Sequence, residues 1–148
     1  MPAIQTTYTA KHAVAYEGMI SAMTPETVVS RIVEAASIAF GKAVSQGTAD
    51  MGIVAAQTAA TKFEGFTVRA QAQPGTTVDA YAVGSTAGVL TEGAIWLKPY
   101  EIVAAGDPVY FVTATGLIGK TATSSTLIPN ARWETSAAAN GLAIVRIK

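Results

Sequence analysis

The segment Thr24-Pro25-Glu26-Thr27-Val28-Val29-Ser30-Arg31-Ile32-Val33-Glu34-Ala35-Ala36-Ser37-Ile38-Ala39-Phe40 decides the fold class, because two periods compete in it. As a helix, Val28, Val29, Ile32, Val33, Ala36 and Phe40 would form one face. Thr24 would then be the N-cap, and Pro25 would take the first helical position, where its missing N–H costs nothing. As a strand, Val29, Arg31 and Val33 alternate with Ser30, Ile32 and Glu34, and β-branched residues are dense. Periodicity alone leans slightly to the helix. The rest of the chain has to arbitrate.

Downstream, the strand signal is stronger. Gly41, Gly47 and Gly52 punctuate Ala43-Val44-Ser45 and Ile53-Val54-Ala55. Phe63 to Arg69 is a short aromatic strand whose internal Gly65 predicts a bulge or a close backbone approach. Gln71 to Thr77 is a loop. Ala94-Ile95-Trp96-Leu97-Lys98 is the clearest strand, and Asp107-Pro108 turns the chain into Val109-Tyr110-Phe111-Val112-Thr113. Thr115-Gly116 turns it again into Leu117-Ile118-Gly119. Ile128 to Glu134 follows a polar loop at Thr121 to Thr126, and Leu142 to Ile147 closes the chain with Leu142, Ile144 and Arg146 on one side. Asn140-Gly141 offers the φ > 0 pair of a type I′ hairpin turn. Short strands at spacings of roughly 8 to 12 residues predict an all-β fold, a jelly-roll-like sandwich or a barrel.

Residues 1–23 stand apart. Ile4, Tyr8, Tyr16 and Met19 are large groups with few local partners, in a stretch too irregular for a helix. They read either as an extended N-terminal arm ahead of one β-rich domain at 24–148, or as an edge strand and loop of that same domain. The first residues show no basic n-region and no apolar h-region, so no signal peptide is expected. The apolar window Ile102 to Gly119 is broken by Asp107, Pro108 and glycines, which argues against a membrane span of about 20 residues.

Composition sharpens the question of what the chain does. It has 148 residues, 50% hydrophobic and 14% charged, with ten basic and ten acidic side chains and no cysteine. Mean hydropathy is +0.35 and the pI is about 6.6. About a fifth of the residues are Ala, and Val and Ile outnumber Leu, which suits sheets better than helices. A chain this long buries roughly 70% of the surface it exposes when unfolded. Neutrality argues against nucleic-acid or anionic-membrane partners. The apolar surplus therefore belongs in a core or against other chains.

Catalytic templates fail on inventory. His12 is the only histidine, with no oriented carboxylate and nucleophile beside it in sequence, and it reads as a surface or packing residue. One histidine and no cysteine make a transition-metal site improbable. The carboxylates are scattered singly; Glu92 and Glu101 could pair in space, as any two of ten acids could. Gly41-Lys42 and Gly119-Lys120-Thr121 lack the upstream glycine of a phosphate loop, since position 114 is Ala, so the second reads as a turn. Basic residues form no patch interleaved with aromatics. Trp96 and Trp133 read either as core or as interface anchors. No enzyme activity and no cofactor are expected.

Longer strings carry a resemblance. They are Ala15-Tyr16-Glu17-Gly18-Met19-Ile20, Ser30-Arg31-Ile32-Val33-Glu34, Ala39-Phe40-Gly41-Lys42-Ala43-Val44-Ser45-Gln46-Gly47-Thr48 and Phe63-Glu64-Gly65-Phe66-Thr67-Val68-Arg69. Gly93-Ala94-Ile95-Trp96-Leu97, Val103 to Tyr110, Ile128 to Ser136 and Ala137 to Ala143 follow. Their order resembles the structural cement, or capsid decoration, proteins of tailed bacteriophages, from about residue 3 to the C-terminus.

The resemblance implies a jelly-roll-like β domain with an extended N-terminal segment. It implies binding to the outside of an icosahedral capsid, where copies clamp neighbouring major capsid protein subunits and associate as homodimers or homotrimers. It brings no catalytic residue, and it favours extended chain for Thr27 to Phe40. Such a chain is made in the host bacterial cytoplasm and ends in the virion. Ile4, Tyr8, Tyr16 and Met19 are the expected capsid contacts. The alternatives are another virion component (a tail, spike or head-completion module) and, from a different class, a carbohydrate-binding β domain.

Overall fold

The computed structural model describes residues 13–21, 24–55, 62–71 and 79–148, and every element among them is extended. The helix that the period of Val28 to Phe40 favours does not form. Thr27–Val33 is strand β1 and Ile38–Ala39 is β2. The remaining strands are β3 (Ala43–Gln46), β4 (Gly52–Val54), β5 (Phe63–Thr67), β6 (Ala80–Tyr81), β7 (Thr86–Leu97), β8 (Pro108–Val112), β9 (Ile118–Gly119), β10 (Ser125–Trp133) and β11 (Ala143–Ile147). The all-β expectation is met.

Nine strands join in the order β1-β4-β3-β5-β7-β11-β10-β8-β9, and β1 also pairs with β7. The extra pairing folds β1, β4, β3, β5 and β7 into a ring, while β7, β11, β10, β8 and β9 form an open antiparallel sheet. β7 belongs to both. Its first half pairs with β1 and β5, and Gly93 to Leu97 pairs with β11. Within the ring only β1–β4 is parallel, and it spans two residue pairs, Ile32↔Gly52 and Val33↔Ile53.

Each system has its own core. Val33, Val44, Ile53, Ala87 and Val89 fill the ring, closed by Ile38, Phe40 and Tyr81 of the β2–β6 ribbon and its flank. Phe40 and Tyr81 meet edge to face at 5.1 Å. The larger core lies where Ala43 and Phe66 meet the open sheet's Ile95, Leu97, Phe111, Ile128, Trp133 and Val145. Trp133 is fully buried and its Nε1–H points at Gly119 O, 3.4 Å away. Trp96 is only half-buried.

Gly65 is the close approach its position in the aromatic strand predicts. A Cβ there would lie 2.2 Å from Leu90 O, and the β3–β5 register shifts beside it. The Asn140-Gly141 expectation fails in detail. Asn140 has φ +60° but Gly141 has no positive φ, so no type I′ hairpin forms. The Gly141 N–H donates to Ala138 O, making a four-residue turn with Asn140 at its third position. The connection from β10 to β11 is too long for a two-residue hairpin because it is anchored on the way, Ala137 pairing with Val103 and Asn140 N–H donating to Pro99 O.

Candidate functional site

Residues 13–21 lie along the free side of the second half of β7. Gly18 N–H donates to Trp96 O, Trp96 N–H to Met19 O and Ser21 N–H to Ala94 O, each at 2.8 Å. Ile20 sits opposite Ile95 and packs on the larger core, and Ala15 is buried. Gly18 makes this possible. Its φ is +81°, and a Cβ would stand 2.9 Å from Gly41 N.

The same segment presents Val14, Tyr16 and Met19 outward, 83%, 55% and 38% exposed. Of the expected contact residues, Tyr16 and Met19 are therefore placed on one surface stretch. Ile4 and Tyr8 lie outside the described residues, as does His12.

Between this segment and the ring runs an open cleft of about 560 Å³, walled by Tyr16, Glu17, Phe40, Lys42, Arg69 and Lys98 among others. The Arg69 guanidinium lies 5.2 Å from the Tyr16 ring centre and 5.3 Å from that of Phe40, and reaches Asp79 at 2.6 Å. Lys42 Nζ meets Glu17 at 2.6 Å. Arg69 and Lys42 are thus paired or covered by aromatic faces, so the cleft pins the segment to the body, and among the described residues that line it no nucleophile has a base beside it.

Two carboxylates act as loop clasps. Glu34 accepts from the Thr48 and Ala49 amides and the Thr48 hydroxyl, at 2.9, 2.9 and 3.0 Å. The amide bonds of Thr48 and Ala49 hold its pKa below the ordinary 4.5. Glu101 takes the Lys120 and Thr121 amides at 2.7 and 2.8 Å and the Thr121 hydroxyl at 2.6 Å. Burial pushes its pKa up, but these hydrogen bonds outweigh burial and the net shift is downward. The Gly119-Lys120-Thr121 string is thus the end of β9 and the bend after it, not a hairpin turn, and its Lys120 and Thr121 amides hold the protein's own carboxylate. Among the described residues no group of three or more His, Asp or Glu could hold a metal ion.

Other exposed apolar groups are Val28 and Ile32 on β1, Met51, whose carbonyl takes the Ile32 N–H, and Val83, Ile102, Leu117 and Leu127. The helical period assigned Val28 and Ile32 to a core face. The structure turns them outward, and their exposure is a feature that the sequence pattern concealed.

A family model described as structural cement protein (E217 gp24/Pam3 gp6) matches residues 4–148. Among solved structures, a chain from the capsid of Myoviridae phage XM1 is similar with a TM-score of 0.77 at 18% identity, covering 99% of this chain and 98% of that one. The head fiber gp8.5 N base of bacteriophage phi29 is similar with a TM-score of 0.50 at 14% identity, covering 85% of this chain and 95% of that one. At such identities the two likenesses speak for the fold alone. No curated protein sequence matches.

Proposed function

The chain belongs to the structural cement protein family, and from that membership we propose that it binds the outer surface of an icosahedral phage capsid and stabilises contacts between major capsid protein subunits. The family is one of phage structural proteins, not of enzymes. The observation that carries the proposal is the extent of the match, which runs over residues 4–148.

The physics of cementing suits this surface. A ligand that binds only the assembled lattice shifts the equilibrium away from disassembly. Contacts repeated by each copy of an oligomer gain through effective concentration. Exposed Val, Met and Tyr on a chain with only 14% charged residues keep the desolvation cost of such contacts low. Copies of this chain associate as homodimers or homotrimers, and the complex sits on the virion exterior after synthesis in the host cytoplasm. Neither nucleic acid, membrane nor cofactor takes part.

Within this proposal residues 1–23 are the arm and 24–148 the β-rich cement domain, with Ile4, Tyr8, Tyr16 and Met19 touching the capsid. The exposure of Tyr16 and Met19 supports that assignment. The bonds from Gly18 and Ser21 to β7 mean that a deletion through residue 20 would strip the domain itself. Deletion of residues 2–12, with Tyr16→Ala and Met19→Ala added, should abolish co-sedimentation with capsids while leaving the unfolding midpoint of the domain within a few degrees. Undiminished co-sedimentation would remove the arm from the contact.

The likeness to the phi29 head-fiber base favours one second reading, a fiber or spike base on the head. Copy number separates the two. A cement protein occupies the lattice in numbers on the order of hundreds, whereas a base for sparse fibers is present in far fewer copies.

A further inference from the structure

We propose that the open edge of β1 seats a second copy of this chain, the two β1 strands pairing antiparallel across a two-fold axis. The proposal deepens the self-association in the function proposed above by giving it a surface and a symmetry.

The hydrogen bonds of β1 fix which way each peptide group points. Val33 N–H donates to Ser85 O at 3.0 Å, so odd residues face β7. Ile32 N–H donates to Met51 O at 2.8 Å and Glu34 N–H to Ile53 O at 3.0 Å, so even residues face β4. By the two-residue period of a strand, Val28 and Ser30 also direct their N–H and C=O to the β4 side. There β4 begins only at Gly52, opposite Ile32. Among the described residues no strand covers Val28 and Ser30 on that side, and Ser30 O is met only by Arg31 Nη1 at 3.2 Å. The ring is closed at its Val33 end and open along Thr27 to Arg31.

Such an edge is normally blunted by proline, a bulge or an outward charge. This one has no proline, and its one register shift against β7 falls at its start, between Thr27 and Val28, ahead of the Val28–Ser30 stretch. Its one charged residue, Arg31, shares the inward face of Val29 and Val33 and pairs at 3.2 Å with Glu64 of β5, a strand not bonded to β1. The outward face is apolar instead. Val28 is 44% exposed and Ile32 49%, with Met51 beside them at 51%.

Self-pairing fits this edge in one register. Centred on Val29, an antiparallel pair sets Val28 opposite Ser30 of the second copy, and Ser30 opposite its Val28. Both are residues with outward peptide groups, so the ladder gains four backbone hydrogen bonds. Thr27 then faces Arg31, so no like charges oppose each other, and the pairing stops there because Gly52 already lies opposite Ile32. The patch is its own complement, which is what an isologous two-fold interface requires.

Sedimentation velocity on the full chain, without capsids, tests this with two variants. Ser30→Pro deletes an N–H that the β7 ladder does not use, so the fold survives. Ser30→Lys keeps every backbone group and puts like charges near the two-fold, covering the case in which the proline variant misfolds. The wild type should sediment as a dimer at tens of micromolar. A variant that keeps the wild-type unfolding midpoint should dissociate about ten-fold or more readily, the size expected for losing the ladder's central bonds. A wild-type monomer or trimer, or variants with undiminished dimer, would overturn the proposal. A monomeric wild type whose capsid binding is lost in Ser30→Pro would overturn it too and give the edge to a segment of the shell. A wild-type dimer that does not bind capsids would leave the pairing standing and remove the capsid proposal instead.

Discussion

The ring and the open sheet share β7 yet are built differently. Among the described residues the sheet side packs fourteen buried residues around Trp133, Phe66 and Phe111, whereas the ring encloses eight, mostly Val, Ile and Ala. Among the described residues no strand lies beside Val28 and Ser30 on the β4 side of β1, and Val28, Ile32, Met51 and Val83 are exposed. Stability is concentrated on one side and unsatisfied surface on the other. The difference teaches that the apolar surplus of the composition divides in two, part spent on a large core and part left outward on the weaker-cored half. In a cement protein the outward part is what partners would cover.

The comparison can be broken where each core is largest. Trp133→Ala should cost about 3–5 kcal/mol by deleting the central side chain of the sheet core, and Ile53→Ala in the ring about 2–4 kcal/mol. Denaturant unfolding measures both. A clearly smaller loss at Trp133 than at Ile53 would contradict the ranking of the two cores. Because β7 runs through both systems, each variant should still unfold in one transition. Two transitions would mean that the halves fold separately.

Gly65→Ala probes the seam. Its Cβ would press on Leu90 O, a backbone atom of β7, so about 2–3 kcal/mol should be lost. Tyr81→Phe is a smaller cut in the ring alone. It removes the 2.6 Å bond from the Tyr81 hydroxyl to Val68 O and should cost about 1 kcal/mol.

Acidification sharpens the comparison further, because Glu34 clasps a loop of the ring and Glu101 one of the sheet, where the Ala104 amide also holds Asp107 low. Both glutamates are held below their ordinary 4.5 in the folded state. A depressed folded pKa means that the unfolded chain binds the proton first, so the stabilisation is complete above the ordinary value and disappears as pH falls through the lowered one. Melting temperature should therefore drop on acidification below about pH 4.5. Glu34→Gln should flatten part of that slope and speed hydrogen exchange at Thr48 and Ala49, while Glu101→Gln should act at Lys120 and Thr121. A slope unchanged in both variants would show that other carboxylates set the acid limit.

Much of this fold was legible in the sequence. Ala94 to Leu97, Val109 to Val112 and Ala143 to Ile147 are strands as read, and Gly65 is the close approach expected. The segment at Val28 to Phe40 was ambiguous for a physical reason. A half-buried strand announces itself by alternating apolar and polar residues, but β1 is apolar on both faces, Val29 and Val33 inward, Val28 and Ile32 outward. The period of two vanishes, and the spacing left behind mimics a helix. The apolar outward face that hid the strand is the one on which the proposed self-pairing rests. The type I′ turn at Asn140-Gly141 was misread because its conformation depends on bonds to Pro99 and Val103, which no local pattern encodes. Of the expected contact residues, sequence located Tyr16 and Met19 on the surface but gave no sign that Gly18 to Ser21 would be stitched to β7.

The central claim is that this chain cements a phage shell from outside, and reconstruction of intact particles by cryo-electron microscopy tests it most directly. The ring-plus-sheet density should lie on the outer surface, repeated over the lattice, with the Tyr16–Met19 stretch against the junctions between shell subunits. Density confined to a tail or a single vertex, or none on the shell exterior, would contradict it.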